Sequence, residues 1–166
     1  PTDLASGEDE LLLTFGGDVV LGTREKWQSA QNALPAVLAR EGYDYPFRNL
    51  VSIFKKDDMT LLNLECVLKA DSSGEDKEKL YRFRGLPEYT EVLWRAGVDQ
   101  VNIANNHVID YGTKGRETTR AALWAANIPS SGYGQLYIWE KNGHRIGFGG
   151  CRETIWRQDT SIIHRE

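Results

Sequence analysis

Three short apolar runs constrain this chain more than any other feature. They are "ELLLTFGG" at 10–17, "MTLLNL" at 59–64 and "VDQVNIA" at 98–104. Each has strand length, and segments of helical period lie between them. Phe47, Leu50, Val51 and Phe54 repeat at i, i+3, i+4 and i+7, as do Tyr89, Val92, Leu93 and Ala96. Both sets mark one apolar helix face. Pro87 suits a first helical turn and Gly97 a stop. A third helix is expected over 114–126, ended by Asn127 and Pro129. Pro35 either interrupts a helix in 26–41 or starts a second one. Strand-then-helix order that recurs without a fixed-period repeat predicts an α/β fold with a largely parallel sheet. Asn142-Gly143, between two strand-like runs, predicts a hairpin near the C-terminus.

Composition narrows the function classes. The 166 residues suffice for one domain with a real core, read here as 10–166 with 1–9 as a linker or tail. A net charge of -4 with no basic stripe argues against nucleic acid as a partner. No apolar run approaches the roughly 20 residues needed to cross a bilayer. Cys66 and Cys151 form no disulfide framework, although two thiols can pair in an oxidising compartment. The polar stretch 69–79, "KADSSGEDKEK", reads as a solvated, mobile loop.

The polar residues fall where the strands end. The first run ends at Gly17-Asp18, the second at Asn63-Leu64-Glu65, and the third runs into Asn105-Asn106-His107. Parallel α/β sheets bind ligands outside the carboxyl ends of their strands. Hard oxygens with an imidazole are what a divalent metal would use. Each residue also has a plainer reading. Asp18 can be a turn residue or a helix cap, and Glu65 the first solvated position after a strand. Asn105 and Asn106 can form turns, and His107 can cap a helix. Asp110-Tyr111-Gly112 reads as a turn fixing the loop that carries His107. An Asp110 carboxylate taking one imidazole N–H would set the tautomer. His144 reads as a hairpin residue.

"FGGDVVLG" at 15–22, "NLECVL" at 63–68, "ANNHVIDYG" at 104–112 and "SGYG" at 131–134 resemble, in order and spacing, the poly-γ-glutamate capsule-biosynthesis proteins of the CapA type. That family looks like a branch of the calcineurin-like metallophosphoesterases. The resemblance implies a layered β-sandwich flanked by helices. It matches Asp18, Glu65 and Asn106 to metal ligands. It matches His107 to the catalytic histidine, with Asn63, Asn105, Asp110 and Tyr111 in support. It implies divalent metal ions as cofactors and a bacterial cell-envelope, membrane-associated setting. Where phosphoesterases carry a histidine two residues after the first aspartate, this chain has Val20. The later histidine motifs of those enzymes are absent, so the chain reads as an incomplete form of such a domain.

Three functions follow as expectations. The first is a metal-dependent hydrolase of phosphoester or amide bonds. The second is a capsule synthesis or export protein that binds poly-γ-glutamate or other components of the synthesis complex, with basic residues such as Arg82 and Arg84 engaging the polymer. The third is a non-catalytic interaction domain. A sheet missing its later strands would leave apolar surface uncovered, which predicts self-association or packing on the missing portion.

Overall fold

A computed structural model describes residues 10–152. Four parallel strands form the central sheet in the order β1-β2-β5-β6, with β1 at Leu13–Val19, β2 at Met59–Leu64, β5 at Gln100–Asn102 and β6 at Ser130–Ser131. Helices fill the intervals: α1 Leu34–Glu41, α2 Val51–Phe54, α3 Thr90–Ala96 and α4 Gly112–Ala125. A two-stranded parallel pair, β3 Val67–Leu68 and β4 Arg84–Gly85, stands apart from the main sheet. The antiparallel hairpin β7 Tyr137–Lys141 and β8 His144–Phe148 closes the described chain.

Period-two alternation gives the sheet two different faces. Leu62, Leu64, Val101 and Ile103 point into the core with Val92, Leu93 and Ala96 of α3 and Leu123 of α4. Burying each large side chain of this set contributes about 1.5–3 kcal/mol. The hairpin lies against the sheet: Phe148 meets Phe15, and Lys141 pairs with Asp58 at 2.5 Å. Asn142 and Gly143 both take positive φ, 50° and 78°, as the expected two-residue turn requires.

Several local expectations sharpen in three dimensions. Pro35 starts α1, sitting in its first turn. Gly97 ends α3 in the left-handed conformation, with φ 85°. The helix expected over 47–54 shrinks to a 3-10 turn at Tyr45–Phe47 and the single turn α2. Its apolar stripe is buried only at Phe54, while Leu50 is exposed. The loop expected to be solvated, 69–79, is held at both ends. Lys69 is buried and bonds Asp71 and Ser73, and Lys79 reaches the site described below. Cys66 is buried and Cys151 exposed, and both are free thiols; burial pushes the Cys66 thiol up to about 12. Among the described residues no helix is long and apolar enough to cross a membrane.

Candidate functional site

A bulge in β1 positions the first functional side chain. Phe15 pairs with Leu61 and Asp18 with Asn63, so two β1 residues, Gly16 and Gly17, oppose the single Leu62. One extra residue reverses the side-chain alternation beyond it, and this turns Asp18 to the face carrying Asn63. A Cβ at Gly16 would meet the end of the Leu62 side chain, which would have to turn aside. Register then aligns a polar row across all four strands: Asp18 with Asn63, Asn63 with Asn102, and Asn102 with Ser131.

Asp18 and Glu65 are hydrogen-bonded to each other. Asn63 Nδ2 also donates to Asp18 Oδ1 at 2.7 Å. The Asn63 bond, then the Glu65 bond, hold the Asp18 carboxyl below its usual range, with a further contribution from the His107 charge. Burial raises Glu65, and the bond to Asp18 and its charge add to that. Of the two carboxyls, Glu65 is thus the one that holds a proton to higher pH. His107 lies near enough to both carboxyls to lower each of them.

The "NNH" element divides its roles. Asn105 is buried and structural: its Oδ1 accepts from the backbone N–H of His107 and Val108, both at 3.0 Å, and its Nδ2 donates to Asn63 Oδ1 and Leu64 O. Asn106 is exposed at the rim, and its carbonyl accepts from Lys79 Nζ. His107 packs against Phe83, with ring centroids 4.6 Å apart and the planes tilted by 48°, and its Nδ1 lies 2.7 Å from Asp110 Oδ2. Asp110 is fully buried and also accepts from Phe83 N–H at 2.9 Å and Lys79 Nζ at 2.7 Å. Tyr111, buried, donates its hydroxyl to Glu25 Oε1 at 2.7 Å, and Glu25 in turn holds Arg84.

Arg84 is buried and paired with Glu25, and Arg82 is paired with Glu75. The sequence reading also overlooked Asn102, Ser131 and Lys79. Strict alternation in "VDQVNIA" would have placed Asn102 on the face opposite Val101 and Ile103. Nothing local marks Lys79, whose partner Asp110 lies 31 residues away. Among the described residues, no three His, Cys, Asp or Glu side chains form a metal-holding group.

Parallel α/β sheets place ligand sites outside the carboxyl ends of their strands, and in this chain that end carries an acidic pair, an amide row and an oriented imidazole. The chain belongs to the bacterial capsule synthesis protein family, PGA_cap, whose family model matches residues 12–164. It is 30% identical over 136 residues to the "Capsule biosynthesis protein CapA" of Bacillus anthracis, covering 81% of this chain and 31% of that one. It is 25% identical over 127 residues to the "PGA biosynthesis protein CapA" of Bacillus subtilis (strain 168), covering 76% and 31%. It is 25% identical over 176 aligned positions to the "Probable polyglutamine synthesis accessory protein" of Mycobacterium tuberculosis (strain CDC 1551 / Oshkosh), covering 92% and 46%. The chain thus spans between about a third and just under half of the length of these relatives.

Proposed function

We propose that this chain serves poly-γ-glutamate capsule synthesis or export at the bacterial cell envelope, and that its strand-end rim is a metallophosphoesterase-like site for one divalent cation. The observation that carries the reading is the interacting Asp18–Glu65 carboxyl pair, from β1 and the residue that follows β2, with His107 near both. The donor chemistry fits a hard cation. Two carboxylates that share a proton would instead share the metal, and the exposed Asn106 amide could add an oxygen. With Nδ1 engaged by Asp110, Nε2 is the His107 nitrogen left for the rim. A bound cation would polarise an oxyanion or a water beside it. The chain's own residues orient that site: Asn63 and Asn105 tie β1, β2 and the "NNH" turn together, and Asp110 fixes the imidazole. Two carboxylates and an amide, with Val20 where a histidine would stand, are too few ligands for a closed two-metal centre. That favours a binding or degenerate site over a phosphoester or amide hydrolase.

The measurement is Mn²⁺ binding by titration calorimetry. Asp18→Asn and Glu65→Gln are each expected to weaken binding about ten-fold or more. Binding should also weaken on acidification, because Glu65 keeps its proton to higher pH than an ordinary carboxyl. No Mn²⁺ uptake by the unaltered protein, or uptake indifferent to Asp18→Asn, rejects the site.

In the same reading the hairpin β7–β8 begins the second layer of a sandwich that further chain, or a second copy, completes. Supporting this, Trp124 and Trp94 are 84% and 66% exposed. A groove of about 570 Å³ lined by Trp124, Ile128, Pro129 and Tyr137 runs beside edge strand β6. Sedimentation analysis of residues 1–166 should show self-association; a stable monomer at all concentrations would argue against an uncovered face.

A further inference from the structure

Two guanidiniums crowd the turn after β6. Arg116 of α4 lies 4.7 Å from the centroid of the Tyr133 ring, and Arg152, beyond β8, lies 6.0 Å from the same centroid. Neither has a carboxylate partner among the described residues, whereas Lys79, Arg82 and Arg84 all do. The Nε atoms of Arg116 and Arg152 are covered and unbonded. The only hydrogen bond either makes among the described residues runs from Arg152 Nη1 to Asn105 O, at a long 3.4 Å. A ring face is a weak substitute for an anion: a cation–π contact contributes about 0.5–2 kcal/mol and satisfies no N–H. Two like charges on one ring also repel.

The pair belongs to the rim already described. Arg152 donates to Asn105, Asn105 Nδ2 donates to Asn63 Oδ1 at 3.0 Å, and Asn63 donates to Asp18. Close backbone packing holds the turn and the incoming Arg152 segment in place. Gly132 lies against Ala104 with no room for a Cβ, and a Cβ at Gly150 would press on the Asn102 side chain. Arg152 is thus linked through Asn105 and Asn63 to Asp18 of the acidic pair. A guanidinium presents a planar fork of donors that matches an oxyanion.

We infer that Arg116 and Arg152, stacked on Tyr133, form an oxyanion site that grips the side-chain carboxylates of a polyglutamate chain at the rim. That the oxyanion is a carboxylate of this polymer rests on the capsule reading above. The arginine pair itself rests on its own geometry.

The test is fluorescence anisotropy of a labelled poly-γ-glutamate oligomer at low salt, with chelator present so that metal binding plays no part. Arg116→Gln with Arg152→Gln is expected to weaken binding by roughly ten-fold or more. The charge-preserving Arg116→Lys with Arg152→Lys should lose several-fold, because it removes only the fork. Arg48→Gln is the control, since its guanidinium stacks on Tyr45 in the same manner at 4.5 Å. It should stay within about two-fold, as a surface charge does. Mn²⁺ uptake should survive in both double variants, which separates this site from the acidic pair and shows that the variants fold. The inference is overturned if the polymer does not bind, or if the double glutamine variant binds it equally well. It is also overturned if Arg48→Gln loses as much, or if inorganic phosphate binds through the two arginines while the polymer does not.

Discussion

Asp110→Ala should destabilise the protein by about 3 kcal/mol, the low end of the cost of removing one partner from a buried ion pair. The carboxylate is fully buried and receives three bonds, from Lys79 Nζ, Phe83 N–H and His107 Nδ1. Removing it leaves a backbone donor unpaired, a lysine without its counter-charge and an imidazole free to turn. Lys79 is about a quarter exposed, so water recovers part of the loss, which is why the low end applies. For a chain of this length, the change corresponds to a fall in Tm of roughly 6–12 °C. Lys79→Met removes the charge partner and the loop tether but leaves the other two bonds, and should cost less. Chemical denaturation of both variants measures the difference. A loss under about 1 kcal/mol for Asp110→Ala would mean that the buried carboxylate organises nothing. The ring should respond as well: nitrogen chemical shifts of His107 should move from one tautomer toward a mixture.

The second large effect is expected at Gly132. Its φ is +105°, and a Cβ would stand 2.7 Å from Ala104 Cβ and 2.8 Å from Ala104 N. Gly132→Ala therefore combines backbone strain with a clash against main chain, together about 2–4 kcal/mol. Gly143 provides the contrast. It also has positive φ, +78°, but a Cβ there meets nothing within 4 Å. Gly143→Ala should cost only about 1 kcal/mol, for the backbone alone. Equal losses in urea unfolding would show that the close approach of the "SGYG" turn to Ala104 contributes nothing. Because that turn carries Tyr133, Gly132→Ala should also weaken polymer binding by the arginine pair.

Much of the architecture was legible without coordinates, because it depends on neighbours in sequence. The alternation of apolar runs and helical stripes predicted the parallel sheet, Asn142-Gly143 predicted the hairpin, and Gly97 predicted the end of α3. The stretch at 47–54 shows the limit. Its stripe had helical period, but only one turn formed around Phe54, because Leu50 and Ile53 have no core to enter and remain exposed. The acidic loop shows the opposite error. Its composition suggests mobility, yet buried Lys69 bonds Asp71 and Ser73 within the loop, and Lys79 ties its far end to buried Asp110, 31 residues away.

At the rim, residue types and strand ends were fixed by local pattern: Asp18, Glu65 and the Asn105–His107 turn had to lie near the carboxyl ends of three strands. Their orientation was not. Whether Asp18 faces Asn63 depends on a one-residue bulge opposite Leu62, and side-chain period turns such a shift into a change of face. Strand register decided that Asn102 and Ser131 complete the row. Only long-range packing could bring Lys79 to Asp110 and Arg152 to Tyr133, since these contacts join segments that no periodicity relates. The chain by itself determined which elements form and what chemistry stands at their ends. Tertiary structure decided which of those groups meet, because pairing register and close backbone approach are properties of the assembled sheet.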